Sequence, residues 1–216
     1  MKKIAVIGSG VVGEVLANGF LEHGHAVVRG TREPQKLAAW RESAGPGASV
    51  ATFEQAAEQG EIVVLAVKGS AAESAVALCG PDRLAGKVVM DATNPIAEEP
   101  PVNGVLKFFT GPNESLMERL QAKAPRARFV KAWSSVGNAR MVDPRFEGGL
   151  RPTMFICGAD AEAKREATAI LDRFGWESAD MGGAEAARAI EPLCMLWCIP
   201  GLRENRWTHA FKLLVR

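Results

Sequence analysis

Short apolar runs and longer amphipathic stretches alternate along this chain. Residues 4–7, 62–67 and 88–90 are continuous apolar runs. Such runs mark strands buried on both faces, as in a parallel sheet. Between them Val12, Leu16 and Phe20 recur at helical spacing. The pattern predicts strands at residues 3–8, 26–30, 49–51, 61–67, 87–91 and 128–132. It predicts helices at residues 11–23, 34–44, 53–59, 70–79 and 114–123. Repeated β-α units of this kind fold as a doubly wound α/β sheet of Rossmann type. Residues 94–113, with four prolines, and residues 134–152 lack either period. Irregular stretches this long in a compact domain are functional or mobile. Beyond them a smaller α/β extension is expected: a strand at 153–157, a helix at 161–174 and a strand at 177–180. An apolar helix over 184–199, kinked at Pro192, and an amphipathic helix over 206–215 follow. The chain therefore divides into residues 1–135 and a small C-terminal domain, 136–216.

At 216 residues and 47% apolar composition the chain can bury a substantial core. A net charge of +1 gives no broad field for nucleic acid or an anionic membrane. The basic start Met1-Lys2-Lys3 is not read as a signal peptide, because Gly8, Gly10, Gly13 and Glu14 interrupt the apolar run. No stretch has the length and apolarity of a membrane span. Cys79, Cys157, Cys194 and Cys198 lack metal-ligand or C-x-x-C spacing and are expected as free thiols. A reducing, cytoplasmic setting is expected.

The densest chemistry lies in Gly8-Ser9-Gly10-Val11-Val12-Gly13, which joins the first strand to the first helix. This is the Gly-x-Gly-x-x-Gly dinucleotide fingerprint in its strand–turn–helix setting. The first glycine permits the turn, the second the approach of a pyrophosphate, and the third close packing of helix on sheet. The second strand ends in Gly30-Thr31-Arg32, with Lys36 one turn on. A carboxylate there would bind a ribose 2′-OH; a hydroxyl and two cations favour a 2′-phosphate, hence NADP. Residues 1–135 thus read as an NADP-binding domain, and residues 136–216 as the part that meets a second substrate.

Ligands of such sheets bind beyond the carboxyl ends of the strands. Ala66-Val67-Lys68 and Asn94-Pro95 are expected along the nicotinamide path. Trp133, Ser134, Ser135 and Val136 are expected to face the second substrate. No nucleophile–base pair and no metal-ligand cluster is visible. Hydride transfer between two bound cofactors needs proximity and orientation, and no acid or base when no alkoxide forms.

These residues resemble the NADPH-dependent coenzyme F420 reductases. The resemblance rests on Ile7-Gly8-Ser9-Gly10 through Gly13, Gly30-Thr31-Arg32 with Lys36, and Asp91-Ala92-Thr93-Asn94-Pro95. It continues in Val130-Lys131-Ala132-Trp133 and Ala187-Arg188-Ala189-Ile190-Glu191-Pro192. It implies an NADP-binding domain, a small C-terminal domain and a deazaflavin between them, with Thr31, Arg32 and Lys36 at the 2′-phosphate. The chain departs from the family pattern at Trp133-Ser134-Ser135, at residues 194–201 and at residues 207–212.

Three functions follow as expectations. One is an NADP(H)-dependent oxidoreductase passing hydride to F420 or a flavin, with Trp133, Leu196, Trp197 and Pro200 forming a flat apolar pocket. A second is reduction of a small imine or keto substrate, which needs a proton donor: Lys131, Lys68 or His209. A third is a non-enzymatic NADPH-binding module. The expected partner is a small-molecule electron acceptor, not nucleic acid or membrane, and exposed apolar residues near the C-terminus suggest a homodimer.

Overall fold

The computed structural model describes residues 1–214. Six parallel strands form the main sheet: β1 (Lys3–Ile7), β2 (Ala26–Thr31), β3 (Ala48–Thr52), β4 (Ile62–Leu65), β5 (Val88–Asp91) and β6 (Arg128–Lys131). Their order is β3-β2-β1-β4-β5-β6, so the chain reverses its direction of travel between β1 and β4. Helices α1 (Val11–Glu22), α2 (Ala38–Ser43), α3 (Phe53–Gln59), α4 (Gly69–Cys79), α5 (Pro81–Leu84) and α6 (Leu116–Lys123) connect them. The expected helix at 34–44 begins as a 3-10 turn, Pro34–Leu37. Thr52 and Ser115 cap α3 and α6 with complete capping boxes.

The apolar runs are explained by two cores. Ile4, Val6, Ile62, Val64, Val88 and Met90 point to one face, with Leu16 and Phe20 of α1. Ala5, Ile7, Val63, Leu65 and Val89 point to the other, with α3, α4 and α6. Each central strand alternates between two covered faces, so β4 and residues 4–7 of β1 are apolar throughout, and the buried charged residues Arg29, Asp91 and Lys131 stand out in β2, β5 and β6.

The remaining chain forms β7 (Thr153–Ile156), α7 (Ala161–Arg173), β8 (Glu177–Asp180), α8 (Ala187–Ile190) and α9 (Pro192–Glu204), with β7 parallel to β8. An antiparallel bridge, Lys131 to Cys157, joins this unit to β6. Met154, Ala163, Ile170 and Phe174 enter the first core, while Ala187 and Ile190 enter the second.

Two expected elements differ. Pro192 does not kink one long helix; it stands in the first turn of α9, where a missing N–H costs nothing, and α9 runs on to Glu204. Residues 206–214 are not helical. This tail is pinned to β7: Thr153 N–H donates to the Phe211 carbonyl at 2.9 Å, and Leu213 N–H to Thr153 Oγ1 at 3.0 Å. Tertiary hydrogen bonds and an aromatic stack outbid local helix periodicity there; Val215 lies outside the described residues. No helix among the described residues is long and apolar enough to cross a membrane.

Candidate functional site

The glycine loop sits at the carboxyl edge of the sheet, next to the β1/β4 reversal. Gly8 has φ +148°, and a Cβ there would lie 2.2 Å from the Ala66 carbonyl oxygen. A Cβ on Gly13 would meet the Gly8 carbonyl oxygen at 2.6 Å. Gly10 differs: a Cβ there would meet nothing within 4 Å. The first and third glycines are thus required by the fold, while the second faces open space. No side chain caps the N-terminus of α1, which leaves its first N–H groups for an anion. Those features fit a dinucleotide pyrophosphate.

From this loop a cleft of about 340 Å³ runs over the ends of β2 and β4. Ser9, Gly10, Thr31, Arg32, Lys36, Ala66, Val67 and Lys68 all line it. Eight residues chosen from separate parts of the sequence therefore meet in one cavity. The α4 residues Ala71, Ser74, Ala75 and Leu78 form its far wall. Val11 is exposed at the mouth of the loop, whereas the Val12 side chain packs partly against the first core and leaves its backbone N–H in the uncapped first turn of α1.

The cation cluster also contains an acid that the strand-end reading passed over. Glu33 lines the same cleft and accepts from Lys36 Nζ at 2.8 Å. The Lys36 ammonium holds the Glu33 carboxyl below the usual carboxylate range. Thr31 Oγ1 accepts from Glu33 N–H at 3.4 Å. With Arg32, Lys36 and Lys68 against Glu33, the cleft keeps a positive balance.

Asn94 and Pro95 lie beside this cleft, not in its lining. The Asn94 carbonyl passes so close to Gly69 that a Cβ there would stand 1.8 Å from its oxygen. Asn94 Nδ2 donates to the Ser134 carbonyl at 2.9 Å, tying the end of β5 to the end of β6. Ser134, Ser135 and Val136 follow β6 and are buried. Trp133 is 1% exposed and belongs to the first core, packed edge-on to Phe20 and tilted against Phe174. It is removed from the substrate-facing set. The flat pocket expected of Trp133, Leu196, Trp197 and Pro200 does not form, because Trp133 lies in the core and Trp197 stacks on His209 and packs at a tilt against Trp207.

Two expected proton donors are also reassigned. Lys131 is fully buried, and its ammonium donates to Asp91 Oδ2 at 2.7 Å and to the Thr93 carbonyl at 2.8 Å, with Glu191 Oε1 at 2.8 Å. All three of its protons are taken. Burial pushes its pKa down, but the carboxylates of Asp91 and Glu191 outweigh that and hold it above the ordinary lysine value. Glu191 also accepts from the N–H groups of Leu116 and Met117, at 2.9 and 3.0 Å, at the start of α6. This network is a clamp between β5, β6, α6 and α9. His209 Nε2 lies 3.0 Å from the Trp197 carbonyl and serves to anchor the tail. Lys68 remains exposed at the cleft.

Sequence reasoning also missed Arg29. It is fully buried in the middle of β2, with its guanidinium beneath the glycine loop. The available signal was a lone cation inside an apolar strand. Among the described residues no group of three or more His, Cys, Asp or Glu side chains is placed to hold a metal ion.

Residues 3–95, which include the loop and the cleft, match the family model described as NADP oxidoreductase, coenzyme F420-dependent. The chain is 31% identical over 206 residues to metalloreductase STEAP3 of Rattus norvegicus; the match covers 93% of this chain and 38% of that protein, so the chain spans about two fifths of its length. A candidate F420-dependent NADP reductase from Arthrobacter sp. FB24 superposes with a TM-score of 0.92 at 31% identity, covering 100% of both chains. A hypothetical protein from Sinorhizobium meliloti shares the fold at 23% identity, with a TM-score of 0.73 over 100% of this chain and 97% of that one. With the loop, the cleft and a full-length relative in agreement, the chain belongs to the coenzyme F420-dependent NADP oxidoreductase family and is an NADP-dependent oxidoreductase.

Proposed function

We propose that the cleft holds NADPH and that the protein passes hydride between NADPH and a deazaflavin of the F420 type, or a flavin. The observation that carries this reading is the meeting of Gly10 with Thr31, Arg32, Lys36 and Ala66–Lys68 in one cleft. In it, Gly8, Ser9, Gly10, Val11, Val12 and Gly13 form the pyrophosphate loop. Thr31, Arg32 and Lys36 take the 2′-phosphate, and Lys36 exchanges its bond to Glu33 for one to the phosphate. The chemistry supplied by the bound dinucleotide is a hydride at the nicotinamide ring. Ala66, Val67, Asn94 and Pro95 orient that ring and keep water from it. Ser134, joined to the Asn94 amide through its carbonyl, shapes the acceptor side together with Ser135 and Val136. A planar two-electron acceptor suits a site in which Lys131 and His209 are committed to other bonds and Lys68 stays exposed at the cleft, since hydride goes to a ring carbon and the accompanying proton reaches a ring nitrogen from solvent. A homodimer would cover Leu196 and Leu202, which α9 leaves exposed.

The test is an anaerobic assay with NADPH and F420, following deazaflavin absorbance, with FMN and NADH as controls. F420 reduction by NADPH but not by NADH is the expected result. Turnover with FMN alone moves the acceptor to flavins. Tight NADPH binding without turnover of either acceptor defeats the proposed reaction and leaves the cofactor assignment standing.

A further inference from the structure

Arg29 occupies a position that parallel-sheet physics assigns to an aliphatic residue. It pairs in register with Val6 of β1 and Val50 of β3, and its side chain is 0% exposed. Its charge is nonetheless poorly matched. Nη1 lies 3.5 Å from Glu14 Oε2, and the Glu14 side chain is itself 52% exposed. Nη2 reaches the carbonyl oxygens of Gly8 and Gly10 at 3.5 and 3.3 Å. Nε has no partner. A charge-assisted N–H···O bond is about 2.7–2.9 Å long, so every contact here is slack. The Trp40 ring, 4.7 Å from the guanidinium carbon, supplies a cation–π contact but no countercharge.

An under-compensated buried cation is costly, and an aliphatic residue of similar volume would serve the strand better. Its position explains what it does. Both carbonyls it engages belong to the glycine loop. In a planar trans peptide the C=O and the following N–H point in opposite directions. Holding the Gly8 carbonyl inward therefore turns the Ser9 N–H outward, while the Gly10 carbonyl, which also accepts the first helical bond of α1 from Glu14 N–H at 3.0 Å, is held by the helix and Arg29 together and so aims the Val11 N–H.

We propose that Arg29 is a positioning residue for the phosphate loop: a buried cation that orients the loop amides and whose missing countercharge is the pyrophosphate of the bound dinucleotide. This rests on the reading of the loop as a dinucleotide site. Glu14 is then a partial stand-in for that anion in the free protein. Arg29 acts on the part common to NADPH and NADH, whereas Arg32 and Lys36 act on the 2′-phosphate alone. The arrangement trades stability of the free protein for affinity.

The experiment compares wild type, Arg29→Met and Glu14→Gln by thermal unfolding of the free protein and by calorimetric titration with NADPH and with NADH. Arg29→Met is expected to unfold at the same temperature or higher, and to bind both dinucleotides about 10-fold more weakly or worse. Glu14→Gln is expected to unfold earlier and to bind both more tightly. Unchanged affinity in Arg29→Met overturns the proposal. So does a lower unfolding temperature accompanied by weaker binding, which makes Arg29 merely structural, and so does a loss confined to NADPH. If Arg29→Met does not fold, Glu14→Gln decides alone, and its failure to tighten binding is fatal. Wild type that binds neither dinucleotide sinks the underlying site reading, an outcome distinct from all of these.

Discussion

Gly8 and Gly10 stand two residues apart and answer to different neighbours. A Cβ on Gly8 would press into the Ala66 carbonyl and force a side chain to φ +148°. Gly8→Ala is expected to cost about 2–4 kcal/mol of stability, read by denaturant unfolding. Gly10 has φ −79°, which any residue adopts, and open space around it. Gly10→Ala is expected to unfold like wild type yet bind NADPH at least about 10-fold more weakly, because the methyl occupies the phosphate's place. Equal stability losses in both variants would contradict this division of labour. Arg32→Ala is expected to weaken NADPH by about 10-fold or more and NADH hardly at all, since only the 2′-phosphate is lost to it. A parallel loss of both would refute the 2′-phosphate assignment.

The elements meet where their ends carry charge. Lys131 at the end of β6 satisfies Asp91 of β5 and Glu191 at the start of α9, all three buried. Removing the cation alone leaves two buried carboxylates without it, so Lys131→Met is expected to cost about 3–5 kcal/mol, measured by urea denaturation. The pH dependence has a definite sign. The folded ammonium titrates above its unfolded value of about 10.4, so its stabilisation is complete below that pH and is lost as pH climbs through the folded value. Wild-type unfolding monitored above about pH 10.4 should show this loss, and Lys131→Met should lack it. The α9 thiols supply a second test. Burial pushes Cys79 and Cys157 up to about 12, whereas the Cys194 thiol beside Cys198 lowers the pKa of the latter. Alkylation of the native protein near pH 8 should label Cys198 first, as read by mass spectrometry, and leave Cys79 and Cys157 unlabelled.

At the scale of the whole molecule, the C-terminal tail closes the structure through aromatic packing. Trp197 lies between Trp207 and His209, and its Nε1 donates to the His209 carbonyl at 2.9 Å. Gly201 leaves room for Trp207, whose ring a Cβ there would meet at 2.2 Å. Trp197→Ala is expected to cost about 3–5 kcal/mol and to open the chain to trypsin at Arg206; a tail that stays resistant would show that Thr153 alone retains it. The sequence by itself determined the sheet, most helices and the glycine loop, because each is written in residues a few positions apart whose period or turn chemistry is local. It also named most of the cleft, since strand ends in this topology converge by rule. The tertiary structure decided what depends on distant partners. The tail's hydrophobic period suggested a helix, and bonds to Thr153, some 60 residues away, hold it against β7 without one. Trp133 was drawn into the core by Phe20 and Phe174, and Lys131 was taken out of chemistry by Asp91 and Glu191. Glu33 and Arg29 acquired their roles only when folding set one beside Lys36 in the cleft and the other beneath the glycine loop. Local pattern fixes which element a residue joins, whereas the charge or ring it will face is supplied by segments the chain reaches only after it has folded.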